Sequence, residues 1–250
     1  MLKLINSEIY RLIHKKSMYI YFGSTAVLYF LFVLIITNIT NGYRAPSAVV
    51  NDANLFFGML PVIAGGFFFS AIYTDDLNSK NLIALVGFGI NKTKIVIAKF
   101  ILMALSGIVI CGFLPLFHYM AYAVNGCLGG INSIPALYMI AFRYFLHMLA
   151  YAAIAGIAVY GLQKKTFSMI LYILLAAGLI GGVIEFMFFI IAKENASNYT
   201  SHFISNVINR IFTGIDGNGP PVMPVVEYIA YIIIAAAVST AAFHQKEMEF

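Results

Sequence analysis

Three ionisable side chains sit inside long apolar runs: Arg143, His147 and Glu185. A charge buried in a membrane-crossing segment is costly unless it is paired or faces water, so such groups mark either structural locks or ion and substrate paths. Arg143 falls about seven residues into its run, and Glu185 lies at a similar depth in the next run, ~10 Å at 1.5 Å per residue. Adjacent antiparallel helices bring such residues together, so an Arg143–Glu185 contact is expected, direct or through water. It is either an ion pair locking two spans or a polar element of an outward pathway, with His147 one turn below Arg143. His118 and Glu227 read as solvated groups near the outer interface. The five histidines lack ligand spacing and have no cysteines beside them, so no metal site is expected. Gly23-Ser24 lacks the flanking pattern of an intramembrane serine protease, and no paired-glutamate motif occurs. No GxxxxGK[ST] phosphate loop is present either, so the chain is not expected to be an enzyme or to hold a nucleotide or other cofactor itself.

The elements that position these groups are set by hydropathy. The chain has 250 residues, of which 62% are hydrophobic and 10% charged, with a mean hydropathy of +0.90. A soluble domain carries about a quarter charged residues, and a soluble core of this size cannot hide so much apolar surface. A bilayer can, which makes this an integral membrane protein. The formal charge of +5 is scattered in short clusters at the ends of apolar runs, a pattern of membrane orientation and not the continuous basic face that nucleic acid requires. Cys111 lies deep in an apolar run, so Cys111 and Cys127 are expected as free thiols. The polar start reaches Lys16, too long for a signal-peptide n-region, and no small-x-small exit follows.

Six spans follow from the pattern: 18–37, 55–73, 94–122, 136–161, 167–191 and 225–243. Pro61 and Gly65-Gly66 predict a kink or close helix approach in the second span. Ala152/Gly156 and Gly178/Gly182 read as close-packing sites. Residues 1–16 form a basic amphipathic helix with Ile5, Ile9, Leu12 and Ile13 on one face, expected in the headgroup plane. Residues 193–224 form a polar insert with a helical stripe of Phe203, Ile204, Val207, Ile208, Ile211 and Phe212, expected to lie on or dip into the outer leaflet. The whole of 1–250 then reads as one transmembrane domain.

Six spans put both termini on one side, and Lys and Arg placement decides which. One set of loops holds Lys3, Arg11, Lys15, Lys16, Lys80, Lys92, Lys94, Lys99, Lys164, Lys165 and Lys246; the other holds only Arg44, Lys193 and Arg210. The positive-inside rule therefore places both termini in the cytoplasm of a multi-pass protein of the cell membrane.

That orientation puts residues 74–99, TDDLNSKNLIALVGFGINKTKIVIAK, on the cytoplasmic face. Asp75-Asp76 can cap a short helix over 77–86, with negative charge at its positive end. Leu82, Leu85 and Val86 form a small apolar face. Gly87 and Gly89 flank Phe88 as a break, and Asn91 can cap the next helix. An exposed apolar face on a short transverse helix calls for a protein partner.

With those residues in view the chain resembles the permease subunits of ABC-2 type transporters. The resemblance rests on the helix carrying Glu8, Arg11 and Lys15 ahead of span 1, on the acid–helix–break–basic order of 74–99, and on six spans with an amphipathic insert between spans 5 and 6. The family usually has Glu where Asp75-Asp76 stands. It implies an all-α integral membrane fold of six transmembrane helices, an interfacial helix at 1–16, a cytoplasmic coupling helix in 74–93 and an amphipathic extracellular insert. It also implies an ABC ATPase dimer as partner, which binds ATP and Mg and docks on Asp75, Asp76, Leu77, Lys80, Leu82, Leu85, Val86 and Phe88. A second identical or related permease completes the unit, in contact with membrane lipid. By its length and apolarity the chain is similar to the permeases of lantibiotic and bacitracin self-protection exporters, so an amphipathic cargo is expected: an antimicrobial peptide, a lipid-like molecule or a drug. The alternatives are an ion-coupled secondary transporter, disfavoured by the lack of paired broken helices, and a non-transport scaffold or sensor.

Overall fold

The computed structural model describes residues 1–39, 46–78, 81–124, 133–193, 196–214 and 221–246, and every element among them is helical. In chain order these are α1 (Leu2–Ile13), α2 (Lys16–Ile39), α3 (Pro46–Gly58) and α4 (Leu60–Phe69), then a π-helical turn (Ser70–Thr74) leading into α5 (Asp75–Asn78). They continue with α6 (Asn81–Gly87), α7 (Lys92–Val124), α8 (Ser133–Leu162), α9 (Lys165–Ala176), α10 (Leu179–Ala192), α11 (Ala196–Thr200), α12 (Ile204–Thr213) and α13 (Val222–Gln245). Five stretches are long and apolar enough to cross a membrane: Met18–Ile35, Val49–Leu77, Lys92–Val124, Ser133–Leu162 and Val222–Gln245. The pair α9 and α10 makes a sixth if counted as one span, bent by 61°. The protein is an all-α, multi-pass integral membrane protein.

The second span is longer than hydropathy marked it, because α3 begins within the polar loop expected at 38–54. The helix breaks at Met59 and restarts with Pro61 in the first turn of α4, where a missing N–H costs nothing. The bend in span 5 comes at Gly178, with φ +73, a conformation that a side chain resists. A Cβ at Gly178 or Gly182 would meet nothing within 4 Å, so within this chain the pair expected as a packing site closes no helix contact, and Gly178 forms the bend.

The core centres on α8, which packs against α7, α13, α9, α4 and α3. Its face from Phe145 to Tyr160 is buried almost throughout. Gly156 lets α13 approach, with Ser239 Oγ 3.7 Å from where a Cβ would stand. Gly65 of α4 leaves no space for a side chain, because the Tyr172 hydroxyl and Met148 fill it. That hydroxyl donates to the Pro61 carbonyl at 2.8 Å, joining the fifth span to the second.

Two expectations fail at the end of the molecule remote from the termini. His118 is buried at 1% exposure, not solvated. Its Nε2 lies 2.9 Å from the Val49 carbonyl and its Nδ1 meets the Tyr29 hydroxyl, so the ring ties α2, α3 and α7 together. The amphipathic stripe of the insert does not face lipid. Val207, Ile208, Ile211 and Phe212 of α12 are buried against α8 and α13, so the insert plugs the bundle end. Both differences share a cause: a hydropathy pattern shows that a face is apolar without showing whether lipid or protein covers it.

Candidate functional site

At the end of the molecule that holds both termini, six charges converge. Glu8 and Arg11 are spaced i, i+3, which puts them on one face of α1, and Lys15 follows just past its end. With Ile5 and Leu12, Glu8 buries that face against α7, so α1 docks on protein. Asp75 and Asp76 come from α5, and Lys99 from the second turn of α7.

The acids are aimed by the π-helical turn before them. One extra residue rotates all that follows by about 100°, and the turn is buried, with the Thr74 hydroxyl donating to the Ser70 carbonyl at 3.1 Å. Asp75 and Asp76 thus continue the helix of span 2. They do not cap a transverse helix as the sequence suggested; α5 and α6 are described on either side of residues 79–80, and Lys80 lies outside the described residues.

The ion pairs form a closed set. Lys99 Nζ reaches Glu8 Oε2 at 2.9 Å and also contacts Asp76; Arg11 pairs with Glu8 at 2.7 Å and with Asp76; Lys15 pairs with Asp75. Asn81 Nδ2 adds a 3.3 Å bond to Asp76. The side chains of Lys99, Glu8 and Asp76 are 2%, 4% and 1% exposed, and each has its counter-ion within the cluster. Burial holds the Lys15 ammonium below its ordinary pKa, with Arg11 and Lys165 pushing the same way and Asp76 opposing. Tyr160 of α8 places a buried hydroxyl within electrostatic reach of Asp76 and Glu8. Among the described residues no three His, Cys, Asp or Glu side chains gather as a metal site. The cluster is a joint that fastens α1, α5 and α7.

Beyond the joint, α6 ends in a Schellman turn. Ile90 N–H donates to the Leu85 carbonyl at 3.1 Å and Gly89 N–H to Val86 at 2.9 Å, with Gly89 at φ +76. Asn91 Oδ1 then accepts from Thr93 N–H at 2.8 Å and caps α7. Leu82 is 4% exposed, and Leu77, Leu85 and Val86 pack on the core, so the apolar face expected to dock outward is turned inward. Phe88 is the reverse: it stands 84% exposed at the tip. Behind it Lys92 Nζ bonds the carbonyls of Phe243 at 2.9 Å and Lys246 at 3.0 Å, so the start of α7 holds the end of α13.

At the opposite end Arg143 and Glu185 do not pair. Arg143 donates to Asn209 Oδ1 at 3.1 and 2.6 Å, and Glu185 accepts from Asn206 Nδ2 at 2.8 Å. Both amides stand on α12, which fills the gap expected to be closed by a direct or water-mediated contact. His147 Nδ1 lies 2.9 Å from the Arg143 carbonyl one turn back. Glu227 contacts Arg210 and lies 3.5 Å from His202, so it too is engaged with the insert and not simply solvated. Asn206 and Asn209 were legible only as an i, i+3 amide pair beside an apolar stripe.

A family model described as ABC-2 family transporter protein matches residues 4–181. The chain belongs to the ABC-2 transporter family. No curated protein and no solved structure matches it. The matched region holds the whole charge joint and the Phe88 tip of this ABC-2 permease, while α12 and α13 lie beyond it. As a family member it is the membrane component of an ABC transporter and not the ATPase.

Proposed function

We propose that this permease is the membrane half of an ATP-driven exporter and that its ATPase docks on the tip of α6 through Phe88. The observation that carries this reading is a large aromatic side chain, 84% exposed, held out on a Schellman turn above a buried joint. A ring left so exposed at a rigid tip is a typical interface anchor. Asp76, Leu77, Leu82, Leu85 and Val86 support the tip from within; Asp75 pairs with Lys15 in the joint, and Lys80, expected on the same docking surface, lies outside the described residues.

Force applied at Phe88 passes along α6 to the joint and then to α1 and α7, while Lys92 carries it to α13. The tip and both termini face the cytoplasm of the cell membrane, in keeping with the clustered Lys and Arg at that end. The ATPase dimer binds ATP and Mg, and a second identical or related permease completes the cavity. Rocking of the two permeases moves an amphipathic cargo outward: an antimicrobial peptide, a lipid-like molecule or a drug. Resemblance to lantibiotic and bacitracin self-protection exporters supports a peptide.

The test is transport by inverted vesicles containing the chain and its partner cassette ATPase. Accumulation of an amphipathic peptide should require ATP and survive dissipation of ion gradients. Accumulation that ignores ATP and collapses with an ion gradient would favour the ion-coupled alternative, against which family membership weighs. ATPase binding without movement of any cargo would favour the scaffold reading.

A further inference from the structure

Span 1 is held to the rest of the protein in an unusual way. Tyr21, Thr25 and Tyr29 fall on one face of α2 at i, i+4, i+8. The Tyr21 hydroxyl is spent on the Ile63 carbonyl of α4, and the Tyr29 hydroxyl on His118 of α7. These pins lie eight residues apart, about 12 Å along the helix. Between them α2 stands off from its neighbours and leaves a cavity of about 390 Å³. Its walls include Thr25 and Ala26 of α2, Ala64 and Phe68 of α4, and Phe113 and Phe117 of α7.

Three features define what fits there. Among the described residues no charged side chain lines the slot, and both tyrosine hydroxyls already have partners; the Thr25 hydroxyl is the one other polar side-chain group in the lining, so a charged or strongly polar occupant is poorly matched there. The slot opens beside Phe113 and Met120, exposed side chains within an apolar span, so what it faces is bilayer hydrocarbon. A membrane span of ~20 residues is about 30 Å long, so a span of a second copy cannot enter a slot bounded by two tyrosine pins about 12 Å apart. An extended hydrocarbon chain can, and a packed interior favours filling over a void.

We propose that the slot holds one acyl chain of a bilayer phospholipid as a resident ligand, wedged between span 1 and spans 2 and 3. The chain replaces the helix contacts that α2 lacks between its two tyrosine pins, so the lipid sets the position of span 1. The proposal is independent of the ATPase and cargo assigned above.

The full chain is reconstituted in phosphatidylcholine and phosphatidylglycerol vesicles doped with phosphatidylcholine carrying a photoactivatable diazirine in its acyl chain, and adducts are mapped by mass spectrometry. Adducts on Thr25, Met59 and Phe117 should exceed those on Ile233 and Ile234 several-fold, although the latter are 62% and 60% exposed on α13. Ala26→Trp, which fills the slot from an exposed position, should bring the slot adducts down to the α13 level. Val27→Trp, placed on the neighbouring exposed face, should leave them unchanged. Equal labelling at the slot and on α13 of the wild-type chain would overturn the proposal without reliance on any variant. So would slot labelling that persists undiminished in Ala26→Trp.

Discussion

The Lys99 side chain is 2% exposed and lies between Glu8 and Asp76, with Arg11 pairing the same two acids. Removing one partner from such a set leaves the others uncompensated, which costs about 3–5 kcal/mol. Lys99→Met should therefore lower thermal stability in detergent sharply, and Glu8→Gln added to it should recover part of the loss, because the charge count is then restored. Additive losses would show that the two residues act separately. Gly65 makes a different residue-scale prediction. Gly65→Ala sets a methyl against the Tyr172 hydroxyl and Met148, and overpacking of this kind costs about 1–3 kcal/mol. The variant should unfold at lower temperature, while Gly112→Ala, with open space around it, should not.

At the scale of elements the sequence was most legible where a local rule was enough. Gly89 and Asn91 mark the end of one helix and the start of the next, and both do so in the structure with the expected hydrogen bonds. The apolar windows placed the spans, because a bilayer imposes a length and a polarity that can be counted. What was hidden is the partner of each polar or amphipathic face. Lys99 counted as an interfacial lysine because Glu8, its counter-ion, is 91 residues away in sequence and on another helix. The π-helical turn at Ser70–Thr74 has no periodicity of its own, yet it decides where Asp76 points. Arg143 and Glu185 were matched by depth alone, a reckoning with no place for α12 between them. The observed amides give α12 its own prediction. Asn209→Leu strips Arg143 of its acceptor and should destabilise the protein by about 1–3 kcal/mol, whereas Asn198→Leu on the short exposed α11 should be silent in the same unfolding assay.

For the molecule as a whole, the two ends have opposite constructions. The end remote from the termini is closed by α12, whose apolar stripe and amides fasten it to α8, α10 and α13. The end with the termini carries a rigid tip, a buried joint under it, and lysine ties to the first turn of α7 and the last of α13. On the docking role proposed for Phe88, a push at the tip would reach four helices, α1, α5, α7 and α13. In membranes from cells producing both the chain and its cassette ATPase, the ATPase should co-purify with the wild-type chain in detergent. Phe88→Asp, on a side chain that supports nothing in the fold, should abolish that association while leaving the thermal stability of the permease unchanged. Undiminished recovery of the ATPase with Phe88→Asp would contradict the docking role given to the tip.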